Sequence, residues 1–205
     1  MKFNPDELSV RDASHLLTDI ISPRPIAWVS SVGNNDVYNL APFSAYCMLN
    51  IRPVTVGFAV TTYRDGKKKD TILNIESSKE YVISVVTDAL AQSMNTTCTP
   101  YPPEVSEFKE AGLTPVKADL VKAPLIAESP INMECRLIRI DEFGNLPSQF
   151  GFIIGEVLRV HVNDSVYDQS TKRLAGLDLV GRMGGDGDLY CRTRDTFQMT
   201  RPTLK

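Results

Sequence analysis

The sequence predicts a mainly β protein, an antiparallel, Greek-key-like barrel with short peripheral helices. Three observations lead there. β-Branched and aromatic runs recur between turn residues. Two long β-rich segments, 131–141 and 150–163, are separated by Glu142-Phe143-Gly144-Asn145-Leu146-Pro147, the pattern of an antiparallel hairpin. Only short helical insertions fall between the strands, which indicates an antiparallel barrel.

In chain order, residues 6–19 carry Leu8, Leu16 and Leu17, followed by Ile20, among polar residues, which predicts a short helix lying on the barrel. Ile26 to Val32 reads as a first strand, and Gly33-Asn34-Asn35-Asp36 as a tight turn returning the chain as a partner strand over 37–45. Val54–Thr61 and Tyr81–Val86 read as further strands, with Ile72 and Ile75 marking a helix over 71–78 between them. Short helices are expected at 88–95 and 104–111, on either side of the turn-rich Thr99-Pro100-Tyr101-Pro102-Pro103. The division expected is an N-terminal helical extension over 1–19, a barrel domain over 20–192 and a tail over 193–205. No repeat or low-complexity segment interrupts it.

Composition narrows the function classes. With 205 residues, 42% apolar and 23% charged, the chain can bury a core without disulfides or metals. A net charge of −3 and a pI near 5.5 argue against general nucleic-acid binding. Charged residues break up the first thirty positions, so neither a signal peptide nor a membrane span is expected, and a cytoplasmic location is the default. Two histidines leave little material for a catalytic triad or a histidine-rich metal centre, so no metal is expected. Cys47, Cys98, Cys135 and Cys191 are too widely spaced for a zinc motif and are expected as reduced thiols in or near the core.

The chemistry-bearing segment is Tyr63-Arg64-Asp65-Gly66-Lys67-Lys68-Lys69-Asp70-Thr71. It sets four cations just before a helix start, where free backbone N–H groups and the helix dipole already favour an anion. Asp70 or Thr71 is expected as the helix cap.

Together with Ser22-Pro23-Arg24-Pro25-Ile26-Ala27-Trp28-Val29-Ser30-Ser31, Asn39-Leu40-Ala41-Pro42-Phe43-Ser44-Ala45-Tyr46 and Gly66-Lys67-Lys68-Lys69-Asp70-Thr71, in that order, the sequence resembles the flavin reductase-like family, flavoredoxin-type proteins included. The resemblance implies an FMN-binding split barrel that dimerises. It implies that Ser30, Ser31, Asn39, Ala41 and Ser44 border the isoalloxazine, whose pyrimidine edge alternates donors and acceptors. It also implies that Lys69 and Thr71, with Arg64 less directly, hold the phosphate. Asp70 is expected to cap the helix or orient Lys69. The glycine run Leu179–Tyr190 resembles a family signature, and His161 falls where related proteins often place a polar residue near the flavin. Cys47 follows the second motif, near the cofactor or simply buried, and Trp28 reads as a core aromatic.

The function implied is an FMN oxidoreductase using NADH or NADPH, in which the flavin carries the chemistry and no catalytic side chain is required. An electron carrier, serving a partner redox protein, and a barrel binding some other phosphorylated ligand are the alternatives. A homodimer is expected, with the tail and helix 104–111 as candidates to cross between subunits.

Overall fold

The computed structural model describes residues 1–146, 149–185 and 188–203. A 3₁₀ turn at Pro5–Glu7 precedes α1 (Val10–Ile20), whose start is capped by Ser9 accepting from Asp12 N at 3.1 Å. The chain then forms β1 (Ala27–Val32), β2 (Tyr38–Phe43), β3 (Tyr46–Ile51), β4 (Val54–Thr61), α2 (Asp70–Ser78), β5 (Glu80–Ser84), α3 (Ala91–Thr96) and α4 (Glu107–Glu110). A short ladder, β6 (Pro115–Val116) with β7 (Leu125–Ile126), leads to the long pair β8 (Ile131–Phe143) and β9 (Phe150–Val162). Two further two-stranded ladders close the chain: β10 (Tyr167–Asp168) with β11 (Arg173–Leu174), and β12 (Val180–Arg182) with β13 (Tyr190–Arg192).

Seven strands make one antiparallel sheet in the order β2-β1-β5-β8-β9-β4-β3. The sheet is mainly the product of period-2 burial. On β1, Ala27 and Val29 enter a core shared with Val56, Phe58 and Val60 of β4, while Trp28 faces outward into a second core with Leu40, Met94 and Phe108. Ile72 and Ile75 of α2 join the first core. The second core supports the residues that line the cavity described below. Trp28 Nε1 donates to Thr97 Oγ1 at 3.0 Å, fixing the end of α3 against the sheet.

Four sequence expectations are corrected. The strand β3 was not anticipated: its run Tyr46-Cys47-Met48-Leu49-Asn50-Ile51 has no alternation, because it is an edge strand exposed along nearly its whole length. The first helix starts at Val10, and none of its residues is buried, so its apolar side chains do not pack into the barrel. The cap of α2 is Lys69, with Asp70 as the first helical residue and no side chain capping it. Only Cys135 among the thiols is buried; Cys47 and Cys98 are exposed and Cys191 is intermediate, all four free. Pro147 of the expected β8–β9 turn lies outside the described residues, as do Asp186 and Gly187 of the glycine run.

One core group makes a stability prediction. Tyr81 is fully buried and its hydroxyl has no hydrogen-bond partner among the described residues. It stands so close to Gly155 that a Cβ there would lie 1.9 Å from the oxygen. Burying an unsatisfied hydroxyl costs about 1–3 kcal/mol, so Tyr81→Phe should raise the unfolding free energy by an amount in this range, read as a higher urea midpoint at unchanged m. Gly155→Ala should lower the unfolding free energy by roughly 1–3 kcal/mol or more through overpacking. A lower midpoint for Tyr81→Phe would show that the hydroxyl is paired.

Candidate functional site

A cavity of about 290 Å³ opens beside β2. Asn39, Ala41 and Ser44 form one side and the start of α2, Lys69 to Thr71, another; the segment after α3, including Cys98 and Tyr101, faces them. Arg182 and Tyr190 of the β12–β13 hairpin complete the rim. β2 is an edge strand of the sheet, which leaves this side of it free to border a cavity.

The polar groups are organised around Asn39. Its Nδ2 donates to Glu107 Oε1 at 2.9 Å, and its Oδ1 accepts from Thr71 Oγ1 at 2.9 Å and Ser31 Oγ at 3.3 Å. Glu107 also accepts from Leu40 N at 2.9 Å, so one carboxylate ties α4 to both backbone and side chain of β2. The donors on one side and acceptors on the other fix which way the Asn39 amide points. Burial pushes the Glu107 carboxyl above its ordinary range despite these hydrogen bonds, and Asp70 nearby pushes the same way. Asp70 itself is raised by burial and by Glu104. Ser44 is braced from behind by Arg24 Nε at 3.4 Å; that guanidinium also donates to Thr18 O and Met183 O.

Lys69 is the group without an internal explanation. It is partly buried, its ammonium lies 5.7 Å from the centre of the Tyr63 ring, and that ammonium makes no hydrogen bond or ion pair among the described residues. Burial lowers its pKa. Its neighbour Lys68, by contrast, pairs with Glu76 at 2.5 Å and Glu142 at 3.5 Å. The first N–H groups of α2 have no intrahelical acceptor, so they and the Lys69 ammonium together favour an anion.

Of the expected site residues, Asn39, Ala41, Ser44, Lys69 and Thr71 line this cavity. Ser30 does not: it is fully buried on β1 and donates to Pro124 O at 2.5 Å. Ser31 lies behind Asn39, held between it and Asn74 Nδ2 at 3.2 Å. Arg64 is exposed on the turn 63–67 and lies outside the cavity. The Thr71 hydroxyl is already given to Asn39. His161 is also elsewhere, with Nε2 2.6 Å from Glu134 Oε1 and 4.0 Å from Asp119 Oδ2. These three form a group with ligand atoms within 4.8 Å. Protein donors already fill it: Glu134 accepts three backbone N–H groups, and Asp119 pairs with Arg159 at 2.5 Å.

Residues that sequence reasoning missed are Tyr63, Cys98, Tyr101 and Glu107. Arg182 and Tyr190 lay inside the glycine run but were not singled out. They stack, with the guanidinium 4.6 Å from the ring centre, and Arg182 Nη1 donates to Tyr190 OH.

Known proteins are similar to this chain in sequence and fold. A Halalkalibacterium halodurans protein, BH2278, is 35% identical over all of this chain and 98% of its own. Nitrilotriacetate monooxygenase component B from Bacillus cereus superposes with a TM-score of 0.91 at 30% identity, covering 97% of this chain and 98% of that one. The 2-nitrobenzoate 2-nitroreductase NbaA of Pseudomonas fluorescens gives 0.87 at 26%, covering 100% and 98%. A split-barrel chain from Shewanella frigidimarina shares the fold, with a TM-score of 0.81 at 21% identity and coverage of 98% and 100%. The flavin reductase like domain matches residues 21–178, and the chain belongs to that flavin-binding, split-barrel family.

Proposed function

We propose that the chain is an FMN-dependent oxidoreductase that takes electrons from NADH or NADPH and passes them to a small-molecule or protein acceptor. The observation that carries this reading is Lys69, a partly buried cation whose ammonium makes no ion pair among the described residues, at a helix start without a side-chain cap, facing a cavity. Such a pairing suits a dianionic phosphate. The volume of about 290 Å³ sits near the lower end of the range for cofactor sites, and the remaining walls supply aromatic and short polar side chains.

In this reading Lys69 and the first N–H groups of α2 hold the phosphate, while Asn39, Ala41 and Ser44 border the ring. Glu107 acts through Asn39 by fixing its amide. When bound, FMN supplies hydride acceptance from a reduced nicotinamide and onward electron transfer. No side chain has to titrate for this, and the protein's part is binding and orientation. The four free thiols suit the reducing cytoplasm.

FMN titration, followed by anaerobic addition of NADH or NADPH, tests the reading. Tight FMN binding and rapid bleaching are expected. Bleaching only by dithionite or a protein donor would make the chain a carrier, and absence of flavin binding would remove the reading altogether.

We further propose a homodimer. Phe108 of α4 is buried within this chain, which favours another element for the interface. The better candidate is β3, an unpaired edge with Met48 71%, Leu49 45% and Ile51 68% exposed, continuing directly from the cavity-lining end of β2. An edge this apolar invites a second chain. A dimer by light scattering is expected for the wild type, and a monomer for Met48→Lys combined with Ile51→Lys. A dimer unaffected by both charges would move the interface elsewhere.

A further inference from the structure

Arg24 lies outside the cavity, yet it ties two other parts of the fold to one of the cavity's walls. Its Nη1 donates to Thr18 O at 2.7 Å and Ile21 O at 3.0 Å, at the end of α1, and its Nη2 donates to Met183 O at 3.0 Å, next to β12. Its backbone pairs with that of Arg182 in both directions at 2.8 Å. The last carbonyls of a helix lack intrahelical donors and favour a cation. α1 buries none of its residues, and what it gives the fold here is a fixed guanidinium. With Nη1 and Nη2 committed to carbonyls, Nε meets Ser44 Oγ at 3.4 Å.

That contact sets the sense of the Ser44 hydroxyl. A guanidinium only donates, whereas a hydroxyl has one donor and two acceptor positions. Ser44 Oγ therefore accepts from Arg24, and its own proton turns to another acceptor. Ser22 shows one outcome: its Oγ accepts from Arg24 Nη1 at 3.5 Å and donates to Thr18 O at 2.6 Å, so its proton is spent within the protein. Ser44 Oγ donates to no acceptor among the described residues, and Ser44 lines the cavity. Its hydroxyl thus offers the cavity a donor, aimed by a residue that does not itself reach the cavity.

We propose that Arg24 is a positioning residue that raises the redox potential of the bound flavin by holding Ser44 as a hydrogen-bond donor to the ring. The inference rests on FMN occupying this cavity with its ring at Asn39, Ala41 and Ser44. Hydride transfer brings two electrons and one proton, so the ring gains one negative charge, part of it on its carbonyl oxygens. A donor already aimed at that charge holds the reduced ring more tightly than the oxidised one and needs no reorientation as the charge arrives. Without Arg24 the hydroxyl turns freely and this preference fades. The consequence is a flavin that accepts hydride from a nicotinamide more readily.

Anaerobic potentiometric titration of FMN-loaded wild type, Arg24→Lys, Ser44→Ala and the double variant tests this, with the affinity for oxidised FMN measured alongside. Arg24→Lys keeps the charge and loses the planar fork. The three donors of the ammonium are matched by the three carbonyls, which leaves none for Ser44. Arg24→Lys and Ser44→Ala should each lower the ratio of reduced to oxidised FMN affinity about tenfold, a fall of about 30 mV for a two-electron couple. The double variant should fall no further than Ser44→Ala, because Arg24 acts through that hydroxyl. Ser44→Thr, which retains the hydroxyl, should keep the wild-type potential.

An Arg24 that only braced the fold would change the affinity for both oxidation states together and leave the potential where it was. That result would overturn the inference, as would a shift caused by Arg24→Lys that persists in the Ser44→Ala background. Loss of FMN binding in Arg24→Lys, with Ser44→Ala still binding, would make the role structural and overturn it too. Failure of the wild type to bind FMN at all would instead overturn the reading of the cavity on which the inference rests.

Discussion

Lys69→Ala weakens FMN binding roughly 10- to 100-fold and leaves riboflavin binding nearly unchanged, if the ammonium meets the phosphate. A charge-assisted hydrogen bond contributes about 1.5–3 kcal/mol, and about 1.4 kcal/mol is one decade of affinity. Riboflavin has no phosphate, so it reports any general damage to the cavity. Lys69 serves this comparison well because, among the described residues, it makes no ion pair whose loss would confuse it. Thr71→Ala should behave differently. Its hydroxyl donates to Asn39 rather than into the cavity, so its removal loosens the Asn39 amide and should weaken FMN and riboflavin alike. Equal losses for both ligands with Lys69→Ala would sink the phosphate assignment.

The contrast between Lys69 and Thr71 shows what sequence can convey. That a cation and a hydroxyl stand at a helix start is visible in the chain, because helix caps are local. Where the hydroxyl points depends on Asn39, 32 residues away on another strand. The same limit separates the two strand motifs. β2 is an edge strand, so Asn39, Ala41 and Ser44 are free to line a cavity. β1 lies between β2 and β5 and is covered on both faces, so Ser30 is committed to Pro124 O and Ser31 to Asn39 and Asn74. Both strands read alike as strands, and their order in the sheet is a long-range fact.

Most of the sheet was legible because its strands alternate buried and exposed positions or run apolar when buried on both faces. β3 was not, because neither of its faces is consistently covered and no period marks it. Glu107 and Cys98 entered the cavity without any local signal. Glu107 is one acidic residue among several in a short helix, and only the fold brings it within 2.9 Å of Asn39. His161 shows the opposite case: a polar residue on a strand, expected by resemblance near the flavin, yet paired with Glu134 away from the cavity.

Glu134 is where the largest loss of stability is expected. It is fully buried on β8, and its two oxygens accept backbone N–H groups of Asp119 at 3.2 Å, Leu120 at 2.6 Å and Val121 at 3.0 Å. A carboxylate only accepts, so His161 Nε2, 2.6 Å away, is the donor of a fourth hydrogen bond. This one side chain holds the segment that lays Ala118, Val121 and Ala123 over Val82. Glu134→Ala strands three backbone donors at once, and each buried donor left unsatisfied costs about 1–3 kcal/mol, together a large part of an ordinary stability of roughly 5–15 kcal/mol. Glu134→Gln keeps the shape but sets an NH₂ against at least one donor, and should cost less. Acid separates the charge from the shape. Burial pushes the Glu134 carboxyl up, but His161 and the three N–H groups outweigh it and leave the pKa below its ordinary value. A depressed carboxyl stabilises the fold above its unfolded pKa, about 4.3, and loses that contribution as pH falls through the folded value. Urea unfolding of wild type and Glu134→Gln should therefore show a wide gap at pH 7 that narrows below about pH 4. A gap that stays constant down to that acidity would mean that the ionised carboxylate is not what holds the segment.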